Sequence, residues 1–476
     1  MSFIKKNFKY VYLMAILLLP VILTKKNVDN DTWFILNLGR YTLNNGFTFV
    51  DPFSMHEGLS YIFQQWLSGV YFYSLYKLGG QTLLISIMVL ESILMLYIMY
   101  KLIMLVSGKN YWVSVTLTAL FSIFASVYMT TRPEITTYII LITELLMLEK
   151  YIDTGKWQFL IALPLLSIIE INLHAATWPL LFIFILPYMC SLNLLKKIKS
   201  ISVSNFRKLP ILISVLFMLF GGFINPYGYK AMIYLLMSGG AKYKTFITEL
   251  KATTFIDFWG LYILITFIIG LYLIFKNKIN VQYIFLFAGT FLMTIIAFRN
   301  ISFYGLGVCI LFGSALKNVS YKGKYTNYIL YPFGITLILA LLILSVDCIS
   351  SGITVKENVK NWQEIVLYLN KNTDKNIKLF TDFNSGGYFE FNGYKASIDA
   401  RMELYTKKMN KKYDYYDEFI LFNRGYIYYK DYLDKYNFDY VVIANSCPAK
   451  LSLDNDNTYE KCVQTSNYAL FKRGND

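Results

Sequence analysis

The sequence predicts a polytopic α-helical membrane protein of about eleven spans with a C-terminal extracytoplasmic α/β domain, and three observations carry that expectation. First, 56% of the 476 residues are apolar and only 16% are charged, more apolar surface than one water-soluble core can absorb. Second, the apolar residues fall in runs close to the roughly 20 residues that cross a bilayer as a helix. Third, the composition changes after residue 350 to Lys, Asp, Asn and Tyr, which marks a domain in water.

The runs lie at about 8–24, 80–106, 111–130, 134–149, 157–173, 175–192, 209–225, 257–275, 281–298, 300–316 and 327–346. The net charge of +15 divides unevenly: residues 1–350 hold 27 Lys+Arg and 13 Asp+Glu, while residues 351–476 hold 18 and 17. An excess confined to the apolar part fits cytoplasmic loops rich in Lys and Arg and does not call for a nucleic-acid partner. With the amino terminus cytoplasmic, the inside segments carry clusters such as Lys5, Lys6 and Lys9, and Lys196, Lys197, Lys199, Arg207 and Lys208; the short outside turns carry little beyond Arg132 and Arg299. An odd number of spans then places the carboxyl terminus outside. A cleaved signal peptide is the alternative for the first run, but no small-x-small cleavage site follows it.

Two outside segments, 25–79 and 226–256, are too long for simple turns, and Trp33, Leu36, Arg40 and Leu43 recur at helical spacing in the first. They read as interfacial helices on the outer leaflet. From Ser351 onward, Trp362–Leu369 has helical spacing, Ile377–Phe380 reads as a strand, Gly386-Gly387 as a turn, Tyr428–Tyr436 as a helix, and Tyr440–Ile443 and Tyr468–Phe471 as strands. The domain boundaries are therefore 1–350 and 351–476. Cys447 and Cys462, fifteen residues apart, could close a disulfide in an oxidising compartment or remain free thiols; both readings stay open. Five cysteines without CxxC spacing and two histidines imply neither zinc site nor haem attachment.

Acids are scarce in the apolar part, and Asp29, Asp31, Asp51 and Glu57 fall in its first external loop. Arg132, His174 and Arg299 fall at span exits on the same side. Charged side chains near hydrocarbon are costly and usually face a polar cavity or a partner. Arg donates two parallel hydrogen bonds and keeps its charge, which suits a phosphate; snorkelling to headgroups or pairing with Glu134 is the plain alternative. Glu91, Glu144 and Glu170 are buried acids by position, Glu170 nearest the outside. Asp399-Ala-Arg401-Met-Glu403, read as a strand, would put three charges on one face, either a binding face for a glycan or a solvated edge.

The pattern Asp31-x-Trp33-x-x-Leu36-x-x-Gly39-Arg40 through Gly46, then Asp51-Pro-Phe-Ser-x-His56 and Gln65-Trp66-Leu67, resembles the first external loop of bacterial membrane glycosyltransferases of the GT-C fold, related to protein-mannosyltransferases and the lipid A aminoarabinose transferase. Thr131-Arg132-Pro133, Asn172-Leu-His174, Asn225-Pro-Tyr-Gly-Tyr229, Arg299-Asn300, Gly386-Gly387-Tyr388 and Ile398-Asp399-x-Arg401-x-Glu403-x-Tyr405 extend the resemblance over nearly the whole chain. It implies transfer of a sugar from a polyprenyl-phosphate donor to an envelope glycan, lipid or protein acceptor at the outer face. By that likeness Asp31 is the general base, with Asp29 second; Arg132, Arg299 and His174 bind the donor phosphate; and Asp51, His56, Glu57, Asp399, Arg401 and Glu403 bind the acceptor. Two departures stand out: Glu134 follows Arg-Pro where relatives often carry His or an uncharged residue, and Asp29 makes a DxD pair. That pair is compatible with a divalent metal but does not imply one, and no cofactor is expected. A transporter or flippase for a lipid-linked glycan is the rival from another class, though no internal repeat is evident; a polysaccharide polymerase would share the chemistry.

Overall fold

The computed structural model describes residues 2–190, 201–238, 248–319 and 339–474. In chain order its first helices are α1 (Ser2–Leu23), α2 (Asn30–Asn45), α3 (Trp66–Val106), α4 (Tyr111–Ser126), α5 (Glu134–Thr154), α6 (Ala162–Leu173), α7 (Trp178–Met189), α8 (Leu209–Gly221), α9 (Tyr229–Ser238), α10 (Phe258–Lys276), α11 (Val281–Ile296), α12 (Ile301–Ala315) and α13 (Leu339–Ser350). The lysines at 196, 197 and 199 and most of the apolar run 327–346 lie outside the described residues.

The chain folds as two compact units that interleave in sequence: residues 1–25, 86–225 and 240–352 form one, and residues 26–85, 226–239 and 353–476 form the other. In the first unit α12 is the central helix, buried along its whole length and packed on α4, α10 and α11. Small residues permit that packing: a Cβ at Gly305 would lie 2.5 Å from the Phe124 side chain. Tyr188 and Tyr283 each donate to one oxygen of Glu149 at 2.8 Å, tying α5, α7 and α11 together. The outer helices turn apolar side chains outward, among them Phe217, Phe220 and Phe275. Trp66–Val106 and Phe258–Lys276 are long and apolar enough to cross a bilayer, and seven shorter apolar helices accompany them among the described residues.

Helix α3 begins well before the expected run at 80–106. Its first segment, 66–78, is helical and is separated from the second by a break at Gly79 and Gly80, the latter at φ +62°, a conformation glycine adopts without strain.

The second unit holds α14 (Glu357–Asn372), α15 (Gly386–Phe391), α16 (Lys407–Asn410), α17 (Tyr415–Asn423), α18 (Tyr429–Tyr436) and α19 (Pro448–Asp454). Its sheet comprises β1 (Leu379–Phe380), β2 (Tyr440–Ala444), β3 (Tyr459–Gln464) and β4 (Tyr468–Arg473) in the order β1-β2-β4-β3, with the first pair parallel and the other pairs antiparallel. Trp362 of α14 is fully buried against Tyr388 and Tyr468, and Phe380, Phe422, Tyr432 and Phe438 form a second aromatic cluster.

Three local readings of the sequence are corrected here. Helix α2 forms as its spacing predicts, but its apolar face is core: Trp33 and Leu36 are buried, and Trp33 meets Tyr76, Tyr388 and Phe391 edge-on or tilted. Gly386-Gly387 opens helix α15, because a Cβ at Gly386 would lie 2.0 Å from the Ile398 carbonyl and one at Gly387 would lie 3.1 Å from Phe34 of α2. The stretch Asp399–Glu403 forms no strand but a bend leading into a short 3-10 turn, Met402–Tyr405. Cys447 and Cys462 are both free thiols.

Candidate functional site

Asp29 and Asp31 lie at the start of α2 in different roles. Asp29 is the N-cap: its Oδ1 accepts from the Asp31 amide at 3.2 Å, and its Oδ2 stands 3.6 Å from Lys356 Nζ. Both oxygens of Asp29 are therefore engaged. Asp31 follows in the first helical turn, half-buried, where negative charge is stabilised by the helix N-terminus. The two carboxylates thus stand in different surroundings within one helix turn. Helix α2 is held against the first segment of α3 at Gly39, where a Cβ would stand 1.9 Å from the Gly69 carbonyl oxygen; the glycine of the sequence pattern is thus a packing requirement.

In the first unit, Arg132 occupies the turn before α5, Arg299 the turn before α12 and His174 the end of α6. Arg132 Nη1 donates to both oxygens of Glu249 at 3.4 Å, and Arg299 stands 3.8 Å from Glu134. The charges of Glu134 and Arg299 both reach His174, and those of Glu249, Arg299 and Glu134 reach Tyr128, so the connecting turns gather these groups into one polar neighbourhood. His174 is buried, its Nδ1 3.1 Å from Thr137 Oγ1, which in turn donates to Glu170 at 2.8 Å; Thr177 also hydrogen-bonds Glu170. Asn172 donates to the Ile168 and Ile224 carbonyls at 2.7 and 2.8 Å and fixes the end of α6. Glu249, the partner of Arg132, gave no sequence signal, since a lone acid in a long loop looks solvated. Glu91 accepts from Thr136 at 3.3 Å, and Glu144 is buried.

In the second unit, Arg401 is enclosed by carboxylates. Its Nε lies 3.0 Å from both oxygens of Asp399, its Nη2 donates to Asp399 and, at 3.2 Å, to Glu390, and its Nη1 donates to Asp51. Tyr405 adds a hydrogen bond to Asp399 at 2.8 Å, and the guanidinium lies 4.9 Å from the centre of the Tyr61 ring. Asp51, Asp399 and Arg401 are exposed by only 6, 0 and 2%, so they face one another inside the protein and present neither of the surfaces expected from a strand. Burial drives the Asp399 carboxyl upward, yet Arg401 overcomes it and holds the group below the usual carboxylate range. Burial and then the neighbouring Asp399 push Glu390 well above that range, and burial raises Asp51. Glu390 lies inside an aromatic run, where an acid carries no mark in the sequence of such a partner.

His56 stacks on Tyr415 with ring centroids 3.9 Å apart, and burial, aided by Lys435, pushes its imidazole down to about 4. Glu57 is exposed, and its carbonyl accepts from Lys412 at 2.7 Å. Glu403 is half-buried, and burial raises its carboxyl. Among the described residues no group of three or more His, Cys, Asp or Glu side chains is placed to hold a metal ion.

This architecture is the GT-C fold of membrane glycosyltransferases. The chain is similar in structure to the oligosaccharyltransferase of Archaeoglobus fulgidus tethered to an acceptor peptide, with TM-score 0.57, 13% identity, and coverage of 93% of this chain and 70% of that one. It is also similar to AglB of the same organism in complex with an inhibitory peptide and a dolichol-phosphate (0.52; 12%; 93% and 70%), and to ArnT of Cupriavidus metallidurans bound to undecaprenyl phosphate (0.54; 10%; 98% and 97%). A further structure of the A. fulgidus enzyme is a complex with zinc and sulfate. No protein-family model matches the sequence, and none of the curated proteins does.

Proposed function

We propose that the chain is a membrane glycosyltransferase that moves a sugar from a polyprenyl-phosphate donor to a cell-envelope acceptor on the outer face. Asp31 accepts the proton of the acceptor hydroxyl as its oxygen forms a bond to the anomeric carbon; the bond from that carbon to the phosphate oxygen breaks, and the lipid phosphate leaves with the electron pair. Arg132 and Arg299 stabilise the charge that develops on the departing phosphate, and His174 orders the turn beside them. The observation that carries the reading is the position of Asp31: a half-buried carboxylate in the first turn of a helix, held there by the Asp29 cap, in a chain with this fold. The amino terminus is cytoplasmic and the C-terminal domain, from residue 351, extracytoplasmic, with about eleven spans. No metal is assigned, because Asp29 is engaged by an amide and by Lys356. Asp51, Asp399 and Arg401 act on the acceptor side as scaffold for the loop that carries His56 and Glu57.

The test is transfer from a panel of polyprenyl-phosphate sugars by purified protein in lipid nanodiscs. Loss of a general base lowers the rate about 10²–10⁴-fold, so Asp31→Asn should fall by that much. Asp29→Ser, which keeps a capping oxygen, should retain most activity. Full activity in Asp31→Asn would remove the base assignment. Movement of intact lipid-linked glycan across the bilayer without any sugar transfer would favour a flippase instead.

A further inference from the structure

Within the second unit lies a polar hollow of about 260 Å³ whose lining includes Asn37, Arg40, Asn44 and Asn45 of α2, Phe53, Glu390 and Lys395. The Glu390 carboxyl accepts from Arg401 Nη2 at 3.2 Å, while its carbonyl accepts from Arg40. The hollow is smaller than the roughly 300–1,000 Å³ of pockets that enclose whole drug-sized molecules, so it has room for one ring or one charged group.

Its cations are available. The Arg40 guanidinium donates to Asn37 Oδ1 at 2.6 Å and to the Glu390 carbonyl at 3.4 Å, and it lies 4.9 Å from the centre of the Phe391 ring; among the described residues it meets no carboxylate. Lys395 is exposed and likewise makes no ion pair among the described residues. This contrasts with Arg401, whose guanidinium meets the carboxyl groups of Asp51, Glu390 and Asp399. Asn37 is exposed by only 2%, and its Nδ2 is buried with no hydrogen-bond partner. A buried donor left unmatched is costly, and a ligand oxygen beside Arg40 would satisfy it. Asn44 and Asn45 add amide groups suited to sugar hydroxyls, and Phe53 supplies an apolar wall.

We infer that this hollow binds an anionic saccharide unit, with Arg40 and Lys395 meeting its carboxylate or phosphate and Asn37 supplying a buried amide donor. The inference rests on the glycosyltransferase reading above and gives that enzyme an acidic acceptor glycan.

The test is calorimetric titration of the full-length protein in nanodiscs, without any lipid-linked donor. The probes are methyl glucuronide, glucose 6-phosphate, methyl glucoside and inorganic phosphate. At least one acidic sugar should bind about tenfold or more tightly than methyl glucoside, the scale of a charge-assisted hydrogen bond. Arg40→Gln and the surface variant Lys395→Glu should each weaken it about tenfold while their melting temperatures stay at the wild-type value. The carboxylate and phosphate probes separate the two anionic groups. Equal binding of methyl glucoside, no binding of either acidic sugar, or inorganic phosphate binding as tightly as the sugar phosphate would overturn the inference. Because no donor is present, an inactive transferase can still pass this test. Conversely, an enzyme that transfers sugar but binds no acidic saccharide fails it alone.

Discussion

Arg401 donates a hydrogen bond to Asp51 although 350 residues separate them, and both side chains are buried. The contact joins the first loop of the second unit to its C-terminal part, and Asp399 and Glu390 close the other sides of the same guanidinium. An isolated charge could not be buried there; one cation among three carboxyls is tolerated because the acids differ, Asp399 being held ionised while Glu390 is pushed toward its neutral form.

Removing Arg401 should therefore destabilise the second unit strongly. Arg401→Met leaves Asp51 and Asp399 buried without their counter-ion, and breaking a buried pair from one side costs about 3–5 kcal/mol. Thermal unfolding in detergent should show a large fall in melting temperature for Arg401→Met. The triple variant Arg401→Met, Asp51→Asn, Asp399→Asn should recover part of it. If the single variant melts like wild type, the cluster is not holding the unit together.

His56 makes a second prediction, in pH. Its imidazole is lowered from 6.5 to about 4, chiefly by burial, so the folded protein favours the neutral ring. Above pH 6.5 the ring is neutral in folded and unfolded chains alike and its stability contribution is complete. As pH falls toward 4 the unfolded chain takes up the proton first, and stability is lost across that window, with a ceiling of about 3 kcal/mol. His56→Phe keeps a ring against Tyr415 and cannot titrate. The gap in melting temperature between wild type and His56→Phe should shift against wild type between pH 7 and pH 5; parallel curves would show that His56 does not titrate in this way.

The Arg132–Glu249 pair yields the third. If Arg132 serves the donor phosphate, Glu249 competes for it in the resting protein. Arg132→Gln should then weaken binding of polyprenyl phosphate about tenfold or more, the scale of a charge-assisted hydrogen bond. Glu249→Gln should preserve or strengthen that binding. Quenching of tryptophan fluorescence by lipid phosphate would read both. Equal weakening in the two variants would mean that the pair is structural.

Much of the first unit was legible because a bilayer makes helix formation a local matter: each backbone group must be satisfied within its own segment, so apolar runs such as 257–275 and 300–316 mark α10 and α12 directly. The helical spacing of Trp33, Leu36, Arg40 and Leu43 likewise located α2, whereas the capping role of Asp29 emerged only in the structure.

What the sequence by itself determined was therefore the helical membrane architecture, the mixed C-terminal domain and the helix that carries Asp31. Tertiary structure alone decided which side chains face protein. The alternation of Asp399, Arg401 and Glu403 suggested a strand, but Asp399 bonds the Arg401 amide at 2.7 Å and bends the chain, and the guanidinium then finds Asp51 and Glu390 inside. The choice of Glu249 for Arg132 is of the same kind. Hydrophobic periodicity is a property of neighbouring residues and can be read along a chain. The matching of buried charges depends on groups hundreds of residues apart, which only the folded chain brings together.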